Sequence, residues 1–363
     1  MFDASTGSAQ AAGSAQATGS AQTALASFDG VGRGDPAPPW VQRGIIAAWG
    51  LPDDAEVTLI VLSENITFKA SVDGSPRLVI RLGRPGYAES LEHVRSELIW
   101  VDALKHDVGV PTPAPVPGVN GDFVQLLSFE GQTWTAVAFE FVTGTMLEDQ
   151  SGFEHHFTEI GRLTAALHDH AREWRSPSGF VRFSWTPADM VGAAARWGDW
   201  RDAALPENDR ALLERAETSA LAALDGSGVG PSNPGTWGLI HADLRPSNVM
   251  THGDELSIID FDDCGYSWFL YDFAAALTFY EHRSEALEMA AGWLDGYREV
   301  TRVSPSELDA AASLSMLRRL TMLGWQTTHR EDALPPDLWN ENQPGTVEVA
   351  ARYLADPLWL VRG

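Results

Sequence analysis

The sequence has little positive charge. Only 25 of its 363 residues are lysine or arginine, against 50 aspartates and glutamates, which gives a formal net charge of −25. Lysine occurs only at Lys69 and Lys105, so arginine carries nearly all of the positive charge. Proteins that bind nucleic acid need basic residues to neutralise backbone phosphates. The composition therefore argues against a nucleic acid partner.

Cysteine and long apolar segments are also scarce. The single cysteine, Cys264, excludes an internal disulfide framework and is consistent with a reducing compartment, so we expect a cytoplasmic protein. No apolar run reaches membrane-spanning length, and the longest candidate, near Phe269, is interrupted by Asp272. The first residues show neither the basic start nor the apolar segment of a signal peptide. We expect no association with a membrane.

The N-terminal residues 1–34 are of low complexity. The motif GSAQ recurs every six residues, from Gly7, Gly13 and Gly19. Such a segment has too little apolar surface to offset the entropy lost on ordering, so we predict a disordered tail. The remaining chain is long enough for two parts, and we predict one over residues 35–143 and a second over residues 144–363.

Strand patterns dominate the part that follows the tail. Residues 56–62, 67–72 and 77–82 are rich in β-branched and aliphatic side chains, and turn residues separate them, which predicts an antiparallel sheet. A helix is predicted over residues 90–106, with Glu97 on its apolar face. A carboxylate that faces inward needs a cation. Two further strands are predicted at residues 123–127 and 134–142, and the chain after Gly144 is mainly helical, with helices at about 206–224, 283–300, 305–328 and 344–353.

Two polar clusters lie between Gly238 and Asp272. The first reads His241-Ala-Asp243-Leu-Arg245-Pro-Ser-Asn248, and the second, Asp260-Phe-Asp262-Asp263, directly follows an apolar strand. An aspartate just after a strand can accept a proton from a hydroxyl. An asparagine five residues later and an aspartate seventeen residues later can hold the Mg²⁺ that bridges nucleotide phosphates. Taken alone, such residues in loops are also turn formers and helix caps.

Together these motifs resemble a known family. The pattern H-x-D-x-x-x-x-N followed by I-D-F resembles the catalytic core of the protein-kinase-like fold. The residues within the pattern are similar to those of the aminoglycoside phosphotransferase and choline kinase family. That family includes homoserine-kinase-like enzymes and a bacterial stress-response Ser/Thr kinase. The resemblance covers about residues 55–300. It implies an α+β, bilobal fold, with an N-lobe of antiparallel sheet plus helix and a larger, mainly helical C-lobe.

The resemblance also implies a reaction and its residues. It points to an ATP- and Mg²⁺-dependent phosphotransferase with an alcohol group as acceptor. Asp243 would orient and deprotonate the acceptor, and Arg245 would neutralise the transferring phosphoryl group. Asn248 and Asp260 would hold Mg²⁺. A further aspartate of the family corresponds to Asp272, in YDFAAAL, and would fix the backbone of the catalytic loop.

Contacts to the nucleotide phosphates are implied in the strand-rich part. The segment SENITF, which contains Asn65, resembles the loop that covers the phosphates. The family's third-strand lysine is replaced here by Arg81, in LVIRLGRPGY, and we predict that Arg81 pairs with Glu97. Lys69 on the neighbouring strand is the alternative cation.

A contact to adenine is implied farther along. The segment AFEFVTG resembles the hinge at which adenine meets main-chain N–H and C=O groups. Because the main chain reads the base, side chains there carry little information. The candidates are Glu140 and Val142.

Three functions remain open from the sequence. The first is a small-molecule kinase, the second a protein kinase of the stress-response type, and the third a nucleotide-binding pseudokinase, suggested by the missing third-strand lysine. For a small-molecule kinase, the acceptor would be an amine- or amino-acid-bearing metabolite or an aminoglycoside-like compound. The large negative charge does not by itself favour a polycation, because charges beyond the Debye length of about 8 Å are screened. No pattern indicates an oligomeric state.

Overall fold

The structure is a computed structural model that describes residues 28–63, 65–85 and 89–362. The chain divides into two compact units. The first comprises the chain up to Asp102, Pro113–Val142 and Ser178–Val181, and the second comprises Ala103–Thr112, Thr143–Pro177 and Arg182–Gly363.

The main boundary between the two units lies one residue from the predicted boundary. In addition, one short segment on each side of it belongs to the other unit. The main boundary falls between Val142 and Thr143, whereas the sequence predicted residue 143 as the last of the first part. Residues 103–112 belong to the second unit because they bond within it, as when Ile258 N–H donates to Pro111 O at 2.8 Å. Residues 178–181 belong to the first unit, where Val181 N–H donates to Ser96 Oγ at 2.8 Å. Such long-range bonds leave no pattern in the sequence.

The first unit is built on a five-stranded antiparallel sheet in the order β1-β2-β3-β5-β4. Its elements are α1 (Pro39–Trp49), β1 (Glu56–Leu62), β2 (Asn65–Val72), β3 (Ser75–Gly83), α2 (Leu91–Ala103), β4 (Gln125–Phe129) and β5 (Gln132–Glu140). One face of the sheet packs against α1, which ends where Gly50 adopts a left-handed conformation (φ 62°). On β3, Arg81 lies on the opposite face from the buried Ile80 and Leu82 and is paired across the strands with Thr67.

The aromatic core of this unit begins inside the predicted tail. Phe28 is 3% exposed, and its ring centroid lies 5.7 Å from that of Trp134 and 6.1 Å from that of Trp40. Gly34 N–H donates to Leu59 O at 2.8 Å, which ties the following residues to β1. The predicted end of the tail at residue 34 is therefore wrong, because residues 28–34 contribute a buried aromatic ring and a main-chain hydrogen bond to this unit. The repeats themselves, within residues 1–27, lie outside the described residues.

We expect Phe28→Ala to lower the free energy of unfolding by about 3–5 kcal/mol, because it removes a buried aromatic ring and leaves a cavity. Deletion of residues 1–27, which leaves Phe28 in place, is expected to change the melting temperature little. Thermal denaturation of both proteins beside the wild type checks this. A Phe28→Ala protein that melts with the wild type would show that the ring does not anchor the segment.

The second unit is mainly helical and contains two small sheets. Its main elements are β6 (Thr145–Met146), α3 (Phe157–Glu173), α4 (Pro187–Val191), α5 (Glu207–Gly226), β7 (Trp237–Ile240), β8 (Val249–His252), β9 (Glu255–Ile258), β10 (Gly265–Trp268), α6 (Tyr271–Ala276), α7 (Ala286–Val300), α8 (Pro305–Thr328) and α9 (Pro336–Ala355). Strand β10 pairs with β7, and β8 lies between β6 and β9. These short strands carry the two polar clusters on the loops that follow them.

Helix packing in the second unit depends on local sequence signals. Helices α3 and α7 can approach closely because residue 296 is glycine. A Cβ at this position would lie 1.8 Å from Thr158 O, which is too close for any other residue. Helix α8 begins with a capping box formed by Ser304 and Glu307. The predicted start of the last helix at residue 344 is wrong, because Pro344 lies inside α9. Packing of α9 against α5 and α8 offsets the loss of the backbone hydrogen bond that Pro344 cannot donate.

Candidate active site

Asp272 holds the backbone of the loop that carries Asp243. This loop follows β7 and contains Ala242 in a left-handed conformation (φ 68°), which is uncommon for a residue with a side chain. The buried Asp272 carboxylate accepts the N–H of His241 at 3.0 Å and the N–H of Ala242 at 2.7 Å. These two bonds stabilise the strained turn. The predicted role of Asp272 in fixing the loop is confirmed.

A buried histidine supports this aspartate from α3. His168 Nε2 lies 2.9 Å from Asp272 Oδ2, and its Nδ1 lies 2.9 Å from the Tyr297 hydroxyl. Burial lowers the pKa of His168, so the ring is neutral at physiological pH, with Asp272 raising the pKa to a lesser extent. Nε2–H therefore donates to Asp272, and Nδ1 accepts from the Tyr297 hydroxyl. The sequence did not predict this link, which joins residues 104 positions apart.

The structure brings two predicted residues, Asn248 and Arg245, to the carboxylate of a third, Asp243. Asn248 Nδ2 donates to Asp243 Oδ2 at 2.8 Å and also to the Asp243 main-chain oxygen at 2.8 Å. Arg245 Nε donates to Asp243 Oδ2 at 3.2 Å. Because both Asn248 bonds use the amide nitrogen, its amide oxygen is the end that remains for a cation. Asp243 itself is 8% exposed, so its carboxylate is held in a defined position.

Arg318 on α8 also contacts this carboxylate, a contact that the sequence motifs do not predict. Its Nη2 donates to Asp243 Oδ1, and its Nη1 donates to Ala242 O at 3.2 Å. Arg318 and its neighbour Arg319 are both 0% exposed. The signal was present: two adjacent arginines lie within the apolar run MLRRLTML, and buried cations need anionic partners.

Asp260 is exposed and lies two residues after the end of β9. It has a left-handed backbone (φ 64°), and the preceding residue, Ile259, donates its N–H to Asn248 O at 3.0 Å. This bond ties the strand that leads to Asp260 to the loop that carries Asn248. Asp262 and Asp263 follow directly in the chain.

The charge of this region fits a bound cation. Burial raises the pKa of Asp263 well above its usual value, and the Asp262, Asp243 and Asp260 carboxylates raise it further, against the effect of Arg318. Among the described residues, no group of three or more His, Cys, Asp or Glu side chains is arranged to hold a metal alone. Mg²⁺ does not require such a group, because it commonly binds one or two protein oxygens together with water and substrate phosphates. Asn248 and Asp260 are therefore suitable ligands for Mg²⁺.

The turn after Asp260 is fixed by a segment for which the sequence predicted no such role. Arg182 donates to Cys264 O at 2.5 Å and to Asp262 O, and Trp185 Nε1–H donates to Asp263 O at 2.9 Å. The Cys264 side chain is buried. These contacts hold the main chain of the turn.

In the first unit, the predicted pairing of Arg81 with Glu97 is confirmed. Arg81 Nη2 lies 2.8 Å from Glu97 Oε1 and 2.7 Å from Oε2, and the Glu97 side chain is 2% exposed. The Arg81 guanidinium also lies 5.9 Å from the Phe139 ring centroid. Lys69 is paired across the strands with Val79, and within the described part of the chain it forms no ion pair.

The other predicted nucleotide contacts also lie in the first unit. Asn65 is the first residue of β2, and its main-chain oxygen accepts from Ser63 N–H at 2.9 Å. Glu64 lies outside the described residues. Glu140 donates its N–H to Ala114 O at 2.9 Å, so this N–H is not available to a ligand. Val142 is half-buried and lies two residues beyond the end of β5.

The antiparallel sheet with its Arg81–Glu97 pair and the loops that carry Asp243, Asn248 and Asp260 define a phosphotransferase of the protein-kinase-like class. Residues 61–304 match the family model described as the phosphotransferase enzyme family, and the chain belongs to this family. The predicted family and the predicted α+β kinase-like fold are thereby confirmed.

Individual relatives are small-molecule kinases. A microcompartment-associated aminopropanol kinase of known structure is 32% identical, with a TM-score of 0.78 over 88% of this chain and 98% of that one. Amicoumacin kinase of Bacillus subtilis (strain 168) is 22% identical over 77% of this chain and 81% of its own length. Homoserine kinase of Sinorhizobium medicae (strain WSM419) is 27% identical over 66% and 67%, respectively. The prediction of a phosphotransferase that acts on small molecules is confirmed. In the described residues, no helix has both the length and the apolarity of a membrane span.

Proposed function

We propose that this chain transfers the γ-phosphate of ATP to the hydroxyl group of a small acceptor that also carries an amine. The observation that supports the reaction is the fixed Asp243 carboxylate, whose Oδ2 is shared by Asn248 and Arg245. A hydroxyl that donates to this carboxylate would have its oxygen directed at the phosphate and its proton directed at a base.

Each residue has a separate role in the proposed reaction. Asp243 accepts the hydroxyl proton as the acceptor oxygen bonds to the γ-phosphorus and the bond from that phosphorus to the leaving ADP oxygen breaks. Arg245 offsets negative charge on the transferring group. Asn248 and Asp260 are the residues that would hold Mg²⁺, which, when bound, neutralises charge on the phosphate oxygens. In the first unit, Arg81 is the proposed cation for the nucleotide phosphates, with Glu97 fixing its position.

The proposal of an amine rests on Glu148. This residue lies in the helical turn Leu147–Asp149, which packs against the turn Pro246–Asn248 of the loop that carries Asp243. Glu148 is half-buried, and within the described part of the chain it makes no hydrogen bond and no ion pair. A half-buried carboxylate without a partner is unfavourable, and an ammonium group would remove the cost.

The charges around Glu148 support a cationic ligand. Burial raises the pKa of Glu148. Arg245 opposes this rise, while the carboxylates of Asp149, Asp243 and Asp337 add to it. An acceptor with one amine close to its hydroxyl would place positive charge among these groups. The names of two relatives, aminopropanol kinase and homoserine kinase, denote acceptors of this chemistry.

The test is a coupled ADP-release assay with aminopropanol, ethanolamine, choline, homoserine and spectinomycin as acceptors, and with simple alcohols that lack the amine. We expect turnover of one of the small amino alcohols. Glu148→Gln should raise its KM by about 10- to 100-fold, because a charged hydrogen bond is worth about 1.5–3 kcal/mol. The KM for ATP should stay unchanged.

The matched control is Asp149→Asn, which removes an exposed carboxylate from the same turn. It should leave the acceptor KM close to that of the wild type. Equal KM values for the wild type and Glu148→Gln, or equally fast turnover of alcohols without an amine, would reject the proposed acceptor class.

A further inference from the structure

Arg318 is a buried cation in the middle of α8. It is 0% exposed, and its guanidinium lies 4.7 Å from the Trp197 ring centroid and 5.7 Å from that of Tyr271. A guanidinium enclosed in this way loses its hydration, which costs several kcal/mol unless its N–H groups and its charge are paired. The packing rings also restrict where the guanidinium can move.

Among the described residues, two of the four hydrogen-bond partners of Arg318 belong to the loop that carries the proposed base. Its Nη2 donates to Asp243 Oδ1, and its Nη1 donates to Ala242 O at 3.2 Å and to the Tyr271 hydroxyl at 3.4 Å. Its Nε donates to Thr278 Oγ1 at 3.1 Å. Among the described residues, Asp243 is the one carboxylate that forms an ion pair with Arg318.

Arg318 and Asp272 hold the same peptide segment through different groups. Asp272 accepts the N–H of Ala242, while Arg318 donates to the C=O of Ala242. The left-handed backbone of Ala242 is therefore fixed at both its N–H and its C=O. The Asp243 side chain follows immediately, and Arg318 contacts its Oδ1, whereas Arg245 and Asn248 contact its Oδ2.

We propose that Arg318 is a positioning residue for phosphotransfer, which binds both Asp243 Oδ1 and Ala242 O and thereby fixes the orientation of the carboxylate that accepts the hydroxyl proton. The inference rests on the proposed function of Asp243. It adds that the orientation of the base is set from α8, 75 residues away in sequence. Removal of the guanidinium allows the carboxylate to rotate about its side-chain bonds, so that fewer bound acceptors are in a reactive orientation.

The alternative is a structural ion pair that contributes to stability alone. Arg319, the next residue, provides a matched control because it is also 0% exposed and pairs with a buried carboxylate, Glu281, at 2.7 Å. Its other bonds go to Thr346 Oγ1 at 2.9 Å and Asn342 O at 2.9 Å. Arg319 makes no described contact with Asp243. Loss of either arginine should therefore reduce stability, but loss of Arg318 should also affect the reaction.

The experiment compares Arg318→Met, Arg318→Lys and Arg319→Met in the full chain, with MgATP and the small amino alcohol that the wild type turns over fastest as substrates. Arg318→Met is expected to lower kcat by about 10- to 100-fold with little change in either KM, since a misplaced reactive group costs about 10²-fold. Arg318→Lys should recover part of kcat, because an ammonium group can still reach Oδ1 but cannot hold Ala242 O in the same geometry. Arg319→Met should lower the melting temperature and leave kcat within about threefold of the wild type.

The outcomes separate the possibilities. Equal kcat values for Arg318→Met and the wild type would overturn the positioning role, as would an equal loss of kcat in Arg318→Met and Arg319→Met. If Arg318→Met does not fold, Arg318→Lys decides, because a kcat equal to that of the wild type would overturn the proposed geometry, in which one guanidinium must hold both Asp243 Oδ1 and Ala242 O. A wild type that turns over no acceptor would reject the proposed function itself, and the positioning role with it.

Discussion

Replacement of Asp243 by asparagine is expected to lower kcat by about 10²- to 10⁴-fold, the usual contribution of a positioned general base. Asparagine keeps the shape of the side chain and can still accept a hydrogen bond, but it cannot take the proton of the acceptor. The affinity for MgATP should change little, because Asn248 and Asp260 are retained. Steady-state kinetics and a nucleotide titration check the two expectations, and a wild-type rate in Asp243→Asn would show that another group is the base.

The same variant is also expected to be less stable. Loss of the carboxylate leaves the buried Arg318 without an anion, and removal of one partner from a buried ion pair costs about 3–5 kcal/mol. Kinetics should therefore be measured well below the melting temperature of the variant. The double variant Asp243→Asn/Arg318→Met should recover part of the stability without recovering turnover, which separates the two effects.

Asp260→Ala provides the contrast for the assignment of roles. It removes an exposed carboxylate that is proposed to hold Mg²⁺, so its main effect should be a weaker dependence of nucleotide affinity on Mg²⁺. A titration of ATP with and without Mg²⁺ measures this effect. An unchanged Mg²⁺ dependence in Asp260→Ala would remove this residue from the metal site.

Arg81→Ala is expected to raise the dissociation constant for ATP by about 10- to 100-fold, because it removes a charged hydrogen-bond donor worth about 1.5–3 kcal/mol. Lys69→Ala should have a much smaller effect, since Glu97 fixes Arg81 and not Lys69. Arg81→Lys should fall between the two, because it keeps the charge but not the fork of donors. ATP titrations of the three variants check this, and a larger defect in Lys69→Ala would transfer the role to β2.

Local patterns predicted much of the fold and part of the candidate site. The strands of the first unit follow the alternation of apolar residues, and Glu97 could be assigned an inward direction from its place on the apolar face of α2. The five-residue spacing of Asp243 and Asn248 places both on one short loop, so their contact follows from the local chain. The motif also indicated Asp272, because its separation from the loop matches the family pattern.

The features of the fold and the site that the sequence did not predict depend on contacts between residues that are distant in the chain. Arg318 reaches Asp243 across 75 residues, and His168 reaches Asp272 across 104, and no local spacing predicts either contact. Phe28 follows the low-complexity repeats, so composition alone assigns it to the tail, whereas its ring is buried in the first unit. Glu148 belongs to no sequence motif, and its proposed role as a binding residue follows from the charges that surround it in the folded unit.

Transfer of phosphate from MgATP to a small amino alcohol is the reaction that we propose for this chain. The most direct measurement is product analysis after incubation of the wild type with ATP, Mg²⁺ and aminopropanol, with ethanolamine, homoserine and a casein-like protein as separate acceptors. We expect one phosphomonoester on a small amino alcohol for each ADP released, and no phosphate on the casein-like protein. Phosphate transferred to the casein-like protein alone, or nucleotide binding with no phosphorylated product, would reject this function.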